Sequence, residues 1–463
     1  MNRISTQIRS WASMRPSLLT CSCNTSTNAI YSTSSSTLLS RRSLSSSSAF
    51  RSTSNNASPY VYTSLPTRSL LRIGGEDVDK FLQGLITNDV ARLRSRPTHA
   101  LYAGVLKADV GHLVTKHICT VPIAYVMTTP QGRALHDLFI YPSPTPSPSS
   151  TYLLDHPTEV SDSFRKYLKR HILRSKVKLA PTASTAEQVQ VAWKPRKGED
   201  AAPDSEMDRL ALEAEEWLQA NKALRDPRDS SMGWRWVAEQ GNTDQVPPPK
   251  LFQQVTPPYH HLHRLLLGIP EGQADLASLP LEGNLDFLGA IDFKKGCYVG
   301  QELTARTHHR GVVRKRQVPV RLFREGEDVP EELYPTHSTL KPYPELFPLP
   351  PPGSSLTPPS VIGTKAASRH TGRLHSTLPI VTSSGSSFAL GLATIRMDKL
   401  SPDAQDGGVF VVKAELKEGE EQGWGAGESE MEGERWFAKA FLEEGGWLSR
   451  GLKEERERKG GDE

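Results

Sequence analysis

A chain of 463 residues with 37% hydrophobic content, 34 glycines and 35 prolines is too long for one core, and its length fits two or three domains. A net charge of +4 permits an anionic ligand but is too small to argue for nucleic acid as a partner. No run approaches roughly 18 consecutive apolar residues, so no membrane span is expected.

Between Met1 and Gly75 there is no Asp, Glu or Lys, while arginines recur at 3, 9, 15, 41, 42, 51, 68 and 72 among dense Ser and Thr. An Arg-rich, Ser-rich, acid-free N-terminus has the composition of a mitochondrial import signal. Residues 1–58 are therefore expected to be a transit peptide and disordered leader, cleaved between Arg41 and Ser58. Two of the four cysteines, Cys21 and Cys23, fall in it. The remaining pair, Cys119 and Cys297, is no disulfide framework and points to a reducing compartment.

Tyr60 to Ile73 alternates like a strand and ends at Gly74-Gly75. In Glu76 to Val90, residues Val78, Phe81, Leu82, Leu85 and Ile86 stand at helical spacing with acids in the first turn. Asn88 and Asp89 follow as polar groups suited to capping that helix or to binding. Tyr102 to Leu106 and Leu138 to Tyr141 read as strands. The segment between them, 107–130, has no clear period and is expected to be an insertion, because long irregular loops inside a domain are uncommon. SPTPSPSS at 143–150 reads as a linker.

Ser163 to Ala180 combines an amphipathic helix and a short strand with eight basic residues and no acid. It reads as a solvated face or as a docking surface for an anionic ligand or partner. A second helix begins at Ser205 with a core stripe of Leu210, Ala214, Trp217, Leu218 and Leu224. The turn-rich DPRDSSMGWRW at 226–236 offers Arg228 and Arg235 as anion contacts. Tyr259 to Gly272 reads as a helix closed by Gly268 and Pro270, and its histidines at 260, 261 and 263 as surface polar residues. The C-terminal third shows short strands around Val318–Phe323, 361–363, Phe388–Ile395 and Trp436–Phe441, as in a small β-barrel or sandwich. The Pro-rich stretch 341–359 is expected to be a surface loop. The glycine-rich GWGAGESEMEG at 423–433 lacks the strand–helix context of a dinucleotide loop.

The chemistry concentrates in Lys294 to Arg316, KKGCYVGQELTARTHHRGVVRKR. Cys297 stands beside Lys294 and Lys295, whose charge would favour a thiolate. Gly296 and Gly300 suggest a tight turn and a close approach. Glu302 can orient a ligand or hold Arg306. One cysteine cannot hold a conventional iron–sulfur cluster, which needs about four ligands, but it can be one ligand of a shared cluster. His308 and His309, read as strand neighbours, would make a poor chelating pair, and either can serve as a base for a thiol nucleophile. No metal site of the chain's own is expected.

Lys295 to Glu302, KGCYVGQE, resembles without departure the K-G-C-[YF]-[VI]-G-Q-E signature of the folate-binding YgfZ-type family, and within it the mitochondrial iron–sulfur assembly factors. FLQGLITNDV, QGRALHDLFIYP, GIPEG, NLDFLGAIDF and GLATIR also resemble family segments. The resemblance implies an α+β fold like that of the glycine-cleavage aminomethyltransferase: a multidomain ring with a C-terminal β-barrel. The expected domains are 59–310, aminomethyltransferase-like with 107–130 inserted; 311–448, the barrel; and 449–463, a disordered charged tail. The resemblance implies a mitochondrial-matrix factor for [4Fe–4S] proteins of aconitase and lipoyl- or biotin-synthase type. Its implied partners are A-type scaffold proteins and apo client enzymes, with the cluster held transiently or shared. It also implies a tetrahydrofolate-type pocket, and the alternative reading is a folate-dependent aminomethyl transferase. The expected working residues are Cys297, Lys295 and Glu302. Asn88, Asp89, Arg228, Arg235, Tyr298, Gln301 and Arg306 are the expected cofactor contacts.

Overall fold

In the computed structural model, residues 58–90, 123–128, 131–142, 151–181, 187–195, 205–239, 241–335, 338–362, 371–400, 404–413, 435–443 and 445–460 are described. The leader, the strand expected at 102–106, the linker 143–150 and the segment 423–433 lie outside them.

The first sheet has the order β10-β1-β7-β9-β8, built from β1 (Tyr60–Ser64), β7 (Glu187–Trp193), β8 (Leu224–Arg225), β9 (Trp234–Glu239) and β10 (Phe252–Gln254). The second has the order β3-β4-β5-β2-β6, built from β2 (Arg68–Gly74), β3 (Ile123–Thr128), β4 (Ala134–Pro142), β5 (Thr151–Pro157) and β6 (Lys178–Pro181). The stretch expected to be one strand at Tyr60–Ile73 is thus two, in different sheets. Leu65 and Pro66 lie in the turn between them.

Alternation along these strands sends neighbouring side chains to opposite faces. Leu70, Phe139, Tyr141 and Leu153 meet Val189, Val191 and Trp193 between the two sheets. Leu71, Ile73, Leu138, Ile140 and Leu154 face away and are covered by α1 (Val78–Leu85) and α2 (Ser161–Ile172), through Phe81, Leu82, Phe164 and Leu168. On the far face of the first sheet, α3 (Ser205–Ala220) lays Leu210, Ala214 and Leu218 on Trp234, Trp236 and Phe252. Each such leucine contributes about 1.5–3 kcal/mol by burial. Trp217 is only partly buried beside this stripe.

The third sheet closes on itself. Strands β11 (Lys315–Arg324), β13 (Ser355–Thr357), β14 (Gly372–Thr382), β15 (Ser387–Arg396), β16 (Val409–Lys413) and β17 (Trp436–Ala440) form a barrel in the order β14-β13-β16-β17-β11-β15, with β15 returning to β14. β12 (Leu340–Pro342) adds to β14 outside the ring. α4 (Pro257–Leu267) seats Leu262 and Leu265 against Leu378, Ile380 and Phe388 of the barrel wall.

Four expectations need correction. Within 107–130, expected to be irregular, residues Ile123–Thr128 form a strand antiparallel to β4 from Ile140 to Ala134; the partner strand supplies the pairing that a period search misses. Within 341–359, Ser355–Thr357 is a buried barrel strand, because the proline-free interval between Pro352 and Pro358 is free to pair with Val411–Lys413 of β16. Val361 and Ile362 do not start a strand; Pro359–Val361 is a 3-10 turn, and Gly363 lies outside the described residues. The charged tail is helical: α6 (Trp447–Gly460) buries Leu448, and its Glu455 meets Arg316 at 2.8 Å. Trp447 Nε1 donates to the Leu267 carbonyl at 2.7 Å.

The histidines of α4 are also not surface groups. His260 and His263 are buried, the latter stacked on Trp193 at 5.2 Å, and His261 Nε2 bonds Ser376 Oγ at 3.0 Å. They lie on the helix face that meets the sheet and the barrel.

His136 on β4 packs edge-on against Phe164 at 5.4 Å. Burial lowers its pKa from 6.5 to about 4, His156 adds to this, and Asp137 opposes it. Because the folded value lies below the unfolded one, the associated stability is complete above pH 6.5 and is lost as pH falls through about 4. The loss should reach about 3 kcal/mol. Urea unfolding near neutral pH and near pH 4 should show it, and His136→Phe should remove that part of the pH dependence.

Candidate functional site

Cys297 is an exposed, free thiol at the tip of the loop joining Asp292 to α5 (Gln301–Arg310). The residues around it alternate in accessibility. Lys295 and Tyr298 are buried, whereas Lys294, Gly296 and Cys297 are exposed. The loop is therefore pinned on both sides of the thiol.

The pin is the C-terminal end of α1. Lys295 Nζ donates to the carbonyls of Gln83 (2.8 Å), Ile86 (2.7 Å) and Asn88 (2.9 Å). A helix end leaves carbonyls without intrahelical partners and carries partial negative charge, so an ammonium there serves as both cap and counter-charge. Thr87 Oγ1 donates to the Ala290 carbonyl at 2.6 Å, and Asn88 Nδ2 to Gly289 at 2.9 Å. In return the amides of Asp292 and Val299 donate to Thr87 and Gly84, each at 3.0 Å. Thus the FLQGLITND and KGCYVG segments, far apart in sequence, form one bonded unit.

Lys295, expected to act on the thiol, is held by the end of α1. Its amine is spent on three carbonyls and lies 5.0 Å from the Tyr298 ring centroid. Burial lowers its pKa to about 8, opposed by the Asp89 and Asp292 carboxylates. Tyr298 is buried beneath the loop, with burial pushing its hydroxyl up to about 12. Asn88 is committed in the same way: its amide bonds Gly289, and its Oδ1 accepts from the Asp89 amide at 2.9 Å. Asp89 in turn accepts from Gln83 Nε2 at 3.0 Å.

After Tyr298 the chain turns through Gly300, whose φ of +80° favours glycine, and enters α5. The turn at Gln131–Arg133 packs here, and a Cβ on Gly132 would meet the Gly300 carbonyl at 2.9 Å. Gly296 differs from Gly300, since a Cβ there would meet nothing within 4 Å. Glu302 is exposed in the first turn of α5, where a carboxylate suits the positive helix end. Gln301 opens the helix and Arg306 stands on its exposed side, one turn after Glu302. His308 and His309 are helical, not neighbours on a strand, and His308 stacks on Phe293 with centroids 3.6 Å apart.

Arg228 and Arg235 do not join this cluster, nor do they offer charge to an anion. Both are buried between the first two sheets. Arg235 reaches Asp155 at 3.1 Å and Glu271 at 3.0 Å; Arg228 reaches Asp226 and Glu271 at 2.7 Å each. Arg68 bonds Asp155 and Asp137 in the same group, and the Arg235 guanidinium lies over Phe139 at 3.9 Å. Although burial pushes the Glu271 carboxyl upward, Arg235 and Arg228 hold it well below the usual carboxylate range. The two arginines are neutralised in place and do not fit the role of folate contacts. Sequence reasoning missed Asp155, Asp226 and Glu271, which lie on three separate segments.

Among the described residues no group of three or more His, Cys, Asp or Glu side chains could hold a metal ion. Cys119 lies outside those residues.

The fold is that of an aminomethyltransferase-like protein. It matches the glycine cleavage system aminomethyltransferase T of Bartonella henselae with a TM-score of 0.50 over 85% of this chain and 88% of that one, at 11% identity. No family model matches the sequence. Three curated relatives do. The iron-sulfur cluster assembly factor IBA57 homolog of Mycosarcoma maydis is 33% identical over 319 residues, 67% of this chain and 68% of that protein. The homolog of Coccidioides immitis is 35% identical over 277 residues, 58% of each chain. The human iron-sulfur cluster assembly factor IBA57 is 36% identical over 262 residues, 56% of this chain and 65% of that one. All three names carry the word mitochondrial. The chain belongs to the IBA57 family, within the YgfZ-type proteins, and its matched part spans 58–68% of the length of these relatives.

Proposed function

We propose that this chain is a mitochondrial iron–sulfur cluster assembly factor, working in the matrix on the formation of [4Fe–4S] proteins. The observation that carries the reading is the exposed Cys297 held on a pinned loop. A thiol presented in this way can reach a cluster carried by another protein. It cannot complete a cluster site by itself, since about four ligands are needed. The cluster is cargo, shared with an A-type scaffold protein and passed on to apo enzymes of aconitase and lipoyl- or biotin-synthase type.

The chain's own contribution is positional. Lys295 and Tyr298 fix the loop from beneath, while Gly296, with open space where a side chain would stand, leaves room for a partner to approach the sulfur. Glu302, Gln301 and Arg306 present polar groups along the adjoining helix. The alternative of a folate-dependent aminomethyl transferase finds less support, because Arg228 and Arg235 are already paired.

The test is complementation of a strain lacking the gene. Cys297→Ser should fold with unchanged stability and leave aconitase and lipoate formation at the level of the null strain, with [2Fe–2S] proteins intact. Full rescue by Cys297→Ser would remove the thiol from the mechanism.

A further inference from the structure

We propose that α2 and the turn after it form a docking surface for an anionic phospholipid membrane. The helix buries Phe164 and Leu168 on one side. Its opposite side shows Lys166, Lys169 and Arg170 at i, i+3 and i+4, all exposed, and the exposed Leu173 follows directly after the helix. Arg174, Lys176 and Lys178 extend the same basic stretch, also exposed. Among the described residues Lys176 is paired, with Glu76 at 2.6 Å, while Lys166, Lys169, Arg170, Arg174 and Lys178 have no carboxylate partner within salt-bridge distance.

Leu173 is the second observation. It is 88% exposed, and its backbone holds φ +41°, a conformation unfavourable for a branched L-residue. An apolar side chain is therefore presented to solvent after the cationic stripe, on strained backbone, with none of the described residues covering it.

The composition favours a lipid surface over a protein partner. Protein interfaces are depleted in Lys and centre on aromatic or apolar anchors. Here the patch is rich in Lys and Arg around one apolar tip, the arrangement of groups that meet headgroups while a side chain enters the acyl boundary. No helix of the described residues is long and apolar enough to cross a membrane, so the attachment would be peripheral and reversible. Val299 of the motif loop packs on the same apolar cluster as the buried side of α2.

The experiment is cosedimentation of the full chain with vesicles of phosphatidylcholine alone or with one third phosphatidylglycerol. The protein should bind only the anionic vesicles and release at high salt. Each neutralised cation should weaken binding about fivefold, so Lys169→Gln with Arg170→Gln should weaken it roughly thirtyfold. Leu173→Ser should weaken it a few-fold at unchanged charge. These positions are exposed, and circular dichroism should show the fold retained. Equal binding to neutral vesicles, or an unchanged affinity of the double variant, would overturn the proposal. Failure to bind either vesicle while retaining an acidic polypeptide such as polyaspartate would also overturn it, in favour of an acidic protein partner.

Discussion

Lys295→Met is expected to lower the unfolding free energy by about 3 kcal/mol and to abolish the proposed assembly activity, since residue 295 is buried and holds the thiol loop. Methionine fills the volume but cannot donate, so the carbonyls of Gln83, Ile86 and Asn88 lose their shared partner. A buried acceptor left without a donor costs about 1–3 kcal/mol, and some of these carbonyls will recover a water. The local consequence separates this account from general destabilisation. The amides of Asp292 and Val299, bonded to Thr87 and Gly84, should exchange with solvent faster than those of the barrel strands. Hydrogen exchange read by mass spectrometry would check this. Unchanged protection at both amides would show that the loop is held by something other than Lys295.

Arg235→Met is expected to be the most damaging single change to stability, at about 3–5 kcal/mol by urea unfolding. Removing one guanidinium leaves Asp155 and Glu271 short of a cation in a fully buried setting. Of the two neighbouring arginines, Arg228 already serves Asp226 and Glu271, and Arg68 serves Asp155 and Asp137. Asp155 therefore keeps Arg68 and Glu271 keeps Arg228, but each loses one of its two cations. Cys297 and its loop lie outside this ionic group, so the variant should lose stability while a folded fraction keeps its activity. A loss smaller than about 1 kcal/mol would mean that the ionic group is wet and weak.

Much of this was legible in the sequence where the signal is local. Leu210, Ala214 and Leu218 announced the packed face of α3 by helical spacing, and the alternation in Val318–Phe323 and Phe388–Ile395 announced barrel strands. Gly268 ended α4 as expected, in the left-handed conformation. The motif marked Cys297, but its neighbours were legible only in kind. Lys295 looked like a charge beside a thiol because adjacency in sequence says nothing of which way a side chain turns, and its partners are more than two hundred residues upstream. Arg228 and Arg235 looked available because their carboxylates come from β5, from the segment before Arg228 and from the turn at Glu271. His260 and His263 looked exposed because polarity alone was read, and a helix wedged between a sheet and a barrel buries polar faces too. The tail read as charged and unstructured because the partners that order it, Arg316 and the Leu267 carbonyl, belong to other parts of the chain.

In the proposed function Cys297 meets a cluster carried by another protein while Lys295 holds its loop in place. The most direct measurement mixes the purified chain with a cluster-loaded A-type scaffold and follows the absorbance and Mössbauer spectra. The wild type should alter the iron environment of the mixture, and Cys297→Ser, equally stable, should leave the scaffold's own spectra unchanged. Identical spectra from the two proteins in the mixture would contradict the account.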